Sequence, residues 1–174
     1  MKKTGKIILS LITALAVVMT MSISAFAATL NNGDEALQKA LDNAKVKKSQ
    51  VKRIEIEYDG DDGVYEVEFT VKKNGKHFEY DISADSGKIV KKSVEYKFKK
   101  NRSHKKIGKK AARKKVAKLS GVSYKVIKTG TCKYEYDDGK GVYEVKFSNN
   151  GRRYECEVLA PTGKIIEYEW KVTG

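Results

Sequence analysis

The sequence predicts an α+β protein of two tandem units, each one N-terminal helix packed on a curved antiparallel β-meander of three to four strands. Three observations lead there. Asp61-Asp62-Gly63-Val64-Tyr65-Glu66-Val67-Glu68-Phe69 recurs, slightly opened, as Asp137-Asp138-Gly139-Lys140-Gly141-Val142-Tyr143-Glu144-Val145-Lys146-Phe147. An offset of 76 places Val46 on Val122, Tyr58 on Tyr134, Gly75 on Gly151 and Gly87-Lys88-Ile89 on Gly163-Lys164-Ile165, so the chain is a duplication. Within each copy apolar and charged residues alternate strictly after a turn signal, which is the period of a half-buried strand.

The first residues read as an export signal rather than as fold. Lys2, Lys3 and Lys6 precede an apolar run from Ile7 to about Met21, and Ala25-Phe26-Ala27 offers small residues where a signal peptidase cuts. Cleavage after Ala27 is expected; the run is short for a bilayer span and is interrupted by Ser10, Thr13 and Thr20. The expected product, residues 28–174, is secreted or held in the cell envelope.

Asp34 and Glu35 are expected to open the first helix, and Ala36, Leu37, Ala40, Leu41 and Ala44 give it a narrow small-residue face that can lie close on a sheet. Four alternating segments follow: 54–58, 64–71, 76–83 and 88–98. Short separators rich in Asp, Asn and Gly join them as hairpins. Ile54, Ile56, Tyr58, Tyr65, Val67, Phe69, Phe78, Tyr80 and Ile82 make the side the helix should cover. The opposite side carries Glu55, Glu57, Glu66, Glu68, Glu79 and Asp81, with Arg53 and His77 as cationic relief. Such a face is ordinarily just solvated. Like charges opposed across strands cost stability, however, so it is also a candidate docking surface for something basic.

A basic linker over 99–104 separates a first unit, 34–98, from a second, 105–172. Residues 28–100 hold 15 basic and 14 acidic residues, residues 101–174 hold 18 and 8, and most of the formal charge of +14 therefore lies in the second half. The second helix is expected to turn Ile107, Ala111, Ala112, Val116 and Leu119 inward and Lys105, Lys106, Lys109, Lys110, Arg113, Lys114 and Lys118 outward, and to end at Gly121. A soluble helix with its cations in water is the plain account of that pattern. Two functional accounts stand beside it: an anionic cell-wall polymer or membrane surface, and an acidic protein face. Nucleic acid is disfavoured in an exported protein whose basic run 97–118 offers only Phe98 to stack on a base. The strands then repeat over 131–136, 142–148, 152–159 and 164–172, with Tyr168 and Trp170 closing the second core.

Cys132 falls on the first strand of the second unit and Cys156 on the third. Two strand spacings, roughly 9.6 Å, exceed the roughly 7 Å a bridge allows, so two separate inward thiols are expected despite export. No His-Glu-x-x-His, Gly-x-Ser-x-Gly or phosphate-binding glycine loop occurs, and neither His77 nor His104 has metal-ligand spacing to a partner. No catalytic, cofactor or metal residues are assigned. One alternative concerns Asp59, Asp61 and Asp62, whose carboxylates between glycines could hold calcium. They lack the spacing and closing Glu of an EF-hand, and a hairpin turn needs the same residues.

Ala40-Leu41-x-x-Ala44-x-Val46, the Asp-Asp-Gly turn with Val-Tyr-Glu-Val-Glu-Phe, and Lys76-x-Phe78-Glu79-Tyr80-Asp81-Ile82-x-Ala84-x-x-Gly87-Lys88-Ile89 together resemble the PepSY family. The second unit shows Val142-Tyr143-Glu144-Val145, Tyr154-Glu155-Cys156-Glu157-Val158 and Ala160-Pro161-Thr162-Gly163-Lys164-Ile165. The resemblance implies a cystatin-like helix on a curved sheet, in exported, mostly bacterial proteins, and a restraining role toward peptidases. It supplies no catalytic residues. The expectation is a secreted, non-enzymatic binding module that modulates or inhibits a peptidase, such as a secreted metallopeptidase, or another envelope protein in trans. The alternative is a wall- or membrane-binding module that uses the basic helix of the second unit.

Overall fold

The structure, a computed structural model, describes residues 29–98, 105–137 and 140–173. The expected signal segment 1–27, the linker 99–104 and the Asp138-Gly139 part of the second turn lie outside the described residues.

Helix α1 (Gly33–Ala44) is capped by Asn32, whose side chain accepts the Glu35 N–H at 3.1 Å. Asp34 and Glu35 thus sit in its first turn, where carboxylates favour the dipole, instead of capping it themselves. Lys45, in the left-handed region at φ 57°, ends the helix. A 3-10 turn (Lys48–Gln50) leads into β1 (Val51–Asp59), followed by β2 (Val64–Val71), β3 (His77–Ser83) and β4 (Ile89–Glu95). Then come α2 (Lys109–Ser120), α3 (Tyr124–Thr129), β5 (Thr131–Asp137), β6 (Lys140–Asn149), β7 (Arg152–Leu159) and β8 (Ile165–Val172). Gly121, at φ 72°, ends α2 as expected. Helix α3 was not expected; Ser123 caps it by accepting the Val126 N–H at 3.5 Å.

Strands β1–β4 and β5–β8 each run in order, but they do not form two sheets. They join antiparallel through β4 and β8 into one eight-stranded sheet, β1-β2-β3-β4-β8-β7-β6-β5. The register at the join is self-complementary. Ser93 faces Glu169, its own counterpart at the 76-residue offset, and Lys92 and Val94 face Trp170 and Tyr168, each the other's counterpart. An approximate two-fold axis therefore passes through the Ser93–Glu169 pair.

Both helical layers lie on one face. Beneath α1 pack Ala36, Leu37, Ala40 and Leu41 with Val67, Phe69, Phe78, Tyr80 and Ile82; beneath α2 and α3 pack Ala112, Val116 and Ile127 with Tyr143, Val145, Tyr154, Cys156 and Val158. Half-buried Ile89 and Tyr168 touch both clusters, so the two cores remain distinct but adjoin at the seam. Fully burying the Val, Leu, Ile and Phe side chains among these contributes about 1.5–3 kcal/mol each. The covering is incomplete at two predicted inward positions: Tyr58 is 59% exposed and Leu119 41%. Cys132 and Cys156 are free, buried, and separated by Val145, the residue paired with both. Burial pushes the Cys156 thiol pKa well up, which leaves it an inert apolar filler.

Candidate functional site

With both helical layers on one side, the other face of the sheet carries no helix among the described residues. Side chains alternate along each strand, so the residues between the core positions all emerge there. The register lines them up in rows. Glu55, Glu68, Glu79, Ser93, Glu169 and Glu155 stand side by side across six strands, ending at Lys146. A second row runs Thr70, His77, Glu95, Glu167, Glu157, Glu144, Lys133. A third begins Glu57, Glu66, Asp81 and turns cationic at Lys91, Lys171 and Arg153.

All four predicted acidic residues belong to this face: Glu55 pairs with Glu68 and Glu57 with Glu66. The strand alternation alone did not disclose the continuation through Glu95, Glu167, Glu157 and Glu144, because that depends on β4 meeting β8.

Cations relieve the rows at a few points. Lys91 Nζ sits 2.5 Å from Glu79 and 3.9 Å from Asp81, Lys140 Nζ 2.9 Å from Glu157, and Lys146 Nζ 3.0 Å from Glu144 and 2.8 Å from Glu155. These contacts do not neutralise the face. Burial, against the pull of Lys91 and with the push of Glu66 and Glu79, raises the Asp81 pKa to about 6. Burial together with Glu157 and Glu95 raises that of Glu167. Burial opposes the Lys91 charge, yet the bond to Glu79 and the nearby Asp81 outweigh it and raise its pKa. Ser93, only 7% exposed, lies between Glu79 and Glu169 and keeps two carboxylates from meeting on the axis.

His77 was expected as scattered relief on a flat face. It instead borders a depression of about 600 Å³ bounded by Arg53, Glu95, Glu157, Glu167 and Lys140, with Phe98 at its lip. Its Nε2 lies 3.4 Å from Glu68 and its Nδ1 3.4 Å from Thr70 Oγ1. The bulge in β1, where Arg53 at φ 54° and Ile54 together oppose Phe69, brings Arg53 to this hollow. Phe98 packs on Ile166, Val142 and Leu159. The hollow is of mixed charge: Lys52, Arg53, Lys97 and Lys140 line it with the three carboxylates, and Lys140 already pairs with Glu157 and lies 5.5 Å over the Phe98 ring.

The predicted basic residues fare unevenly. Lys109, Lys110 and Lys114 are exposed on α2. Arg113 is half-buried, and its Nη2 donates to the Gly130 carbonyl at 3.0 Å, so it serves the fold. Lys106 is exposed but lies 3.6 Å over the Tyr134 ring. Lys105 is exposed and has contacts of its own. At the suggested calcium loop, Asp59 Oδ1 accepts the N–H groups of Asp61 at 2.9 Å and Asp62 at 3.3 Å, which is turn chemistry. Among the described residues no group of three or more His, Cys, Asp or Glu is placed to hold a metal ion, and no helix is long and apolar enough to cross a membrane.

Comparison with curated protein sequences finds no match. Among solved structures, the Bacillus megaterium YpeB C-terminal domain is similar at 18% identity and a TM-score of 0.45, over 81% of this chain and 63% of that one, so the chain spans under two thirds of its length. A Clostridium difficile 630 lipoprotein is similar at 16% identity and a TM-score of 0.30, over 78% of this chain and 90% of that one. A Staphylococcus aureus cysteine-rich secretory protein is similar at 15% identity and a TM-score of 0.37, over 77% and 44%. The family model described as "Peptidase propeptide and YPEB domain" matches residues 32–92 and again 106–169. The chain belongs to the PepSY family.

Proposed function

We propose that this protein is an exported, non-enzymatic binding module that restrains a peptidase, or another envelope protein, in trans. Membership in a family described by peptidase propeptides supports a regulatory role toward a protein partner. One observation carries the reading from family to surface: the face of the eight-stranded sheet that no described helix covers is lined with rows of opposed carboxylates, apart from the Val142, Leu159 and Ile166 end where Phe98 packs. Unpaired like charges at such spacing are costly in the free protein. A basic partner surface relieves that cost, giving attraction and orientation together. Glu55, Glu57, Glu66 and Glu68 are the part of the face that meets such a partner.

The test assays secreted metallopeptidases of the source organism with and without the purified protein. Inhibition that falls when Glu55, Glu57, Glu66 and Glu68 are all changed to Gln supports the reading; no effect on any of them removes it. The second reading, binding to an anionic wall polymer or membrane surface, is favoured by the exposed Lys109, Lys110 and Lys114 on α2. Removal of the second half is unsuitable for testing it, because it strips β8 from β4. Intact protein with these lysines changed to Gln, sedimented with anionic vesicles, decides it.

A further inference from the structure

The chain holds two opposite charge patches that its own fold keeps apart. From residue 97 to residue 134 there is no Asp or Glu, so the α2–α3 layer is cationic without internal relief. Lys110, Lys114 and Lys118 stand at four-residue spacing, one exposed stripe along α2. Like charges at that spacing repel along the helix. None of the three is in an ion pair among the described residues; the ion pairs of the open face use Lys91, Lys140, Lys146 and His77. The acidic patch is densest on β1–β3, in the other half of the chain and on the other side of the sheet. The sheet itself stands between them, so the lysine stripe cannot reach those carboxylates within one molecule.

The two patches also match in spacing. Lysines four residues apart on a helix repeat about every 6 Å. Carboxylates two residues apart on a strand repeat about every 6.7 Å. A helix laid along β1 and β2 therefore sets two successive lysines over the Glu57–Glu66 and Glu55–Glu68 pairs and the third over Asp59, which follows on β1. Each patch is self-repelling alone and relieved by the other.

We propose that the acidic face of one molecule docks the Lys110–Lys114–Lys118 stripe of a second copy. The surfaces joined are different, so the contact is heterologous: it leaves one acidic face and one stripe free and extends by further copies rather than closing as a dimer. The proposal uses the same face as the partner-binding reading above, and self-association then competes with a basic partner for it.

The experiment uses residues 28–174 and sedimentation velocity at about 0.02 M and about 0.5 M salt, since attraction between exposed charges is screened at high salt. One variant carries Lys110→Gln, Lys114→Gln and Lys118→Gln; the other carries Glu55→Gln, Glu57→Gln, Glu66→Gln and Glu68→Gln. Circular dichroism establishes that each folds. Wild type is expected to grow in mass with concentration at low salt and to be monomeric at high salt. Each variant alone is expected to be monomeric throughout, and an equimolar mixture of the two to form a one-to-one dimer, because each retains the patch the other lacks. A monomeric wild type at low salt, a mixture that stays monomeric, or an oligomer that survives in either variant alone overturns the proposal. If wild type is monomeric but the Glu variant loses peptidase inhibition, self-association fails while the partner reading stands.

Discussion

Replacing Asp81 by Asn is expected to stabilise the protein near neutral pH and to do little in acid. Asp81 sits on β3 between Glu66 and Lys91, its side chain 19% exposed, and its Oδ1 is buried without a hydrogen-bond partner. Burial raises its pKa from 3.8 to about 6. A raised carboxylate pKa means that the folded state holds the proton more tightly than the unfolded chain. Stability from this group is therefore greatest below pH 3.8, falls as pH rises, and has lost its full share above about pH 6. At about 1.36 kcal/mol per pH unit the ceiling is ~3 kcal/mol, and partial exposure brings the expected gain to ~1–2 kcal/mol. Asn keeps the shape, removes the charge and brings N–H donors beside the carboxylates. For a chain of this length that corresponds to about 2–8 °C in melting temperature. The assay is thermal unfolding of wild type and Asp81→Asn at pH 7.5 and pH 3.5. An Asn variant no more stable than wild type at pH 7.5, or a gain of equal size at both pH values, would refute the reasoning.

Further expectations concern packing and internal bonds. A Cβ built on Gly130 falls 2.1 Å from the Lys146 carbonyl and 2.7 Å from Phe147 Cβ; Gly130→Ala should cost about 3 kcal/mol in denaturant unfolding, by forcing α3 from β6. Arg113→Ala should cost about 1–2 kcal/mol through the lost bond to Gly130, whereas exposed Lys114→Ala should stay within about 0.5 kcal/mol, as paired urea titrations can show. The thiols should titrate as two free groups in denaturant, with Cys156 unreactive in the native state; an intact mass that rises by two hydrogens on reduction would contradict this.

Alternation was enough to sort the middles of β1, β2, β3, β6 and β7 into an inner and an outer face, because over 54–58, 65–69, 78–82, 143–147 and 154–158 a charge stands between successive apolar residues. It did not reveal the seam. Strand β4, Ile89-Val-Lys-Lys-Ser-Val-Glu95, breaks the pattern: Lys92 faces the helical side, where its amine donates to Asn43 Oδ1 at 2.7 Å and lies 5.3 Å over the Tyr80 ring. Pairing between distant edges also leaves no local signal. In the sequence the carboxylates therefore read as six residues of one half, whereas the fold makes of them a face spanning both. Helix α3 has a weak sequence signal, since Val-Ser-Tyr-Lys-Val-Ile reads as a connector and only Ser123 marks a cap. Helical spacing alone puts Arg113 outward; the nearby Gly130 carbonyl turns it in.

The join of β4 to β8 frees the protein from a constraint that identical subunits cannot escape. A homodimer assembled on the same edge must set one residue against its own copy at the rotation axis, so a glutamate there would confront itself. Covalent fusion lets the two sides differ, and Ser93 opposite Glu169 uses that freedom where a matched pair would repel most.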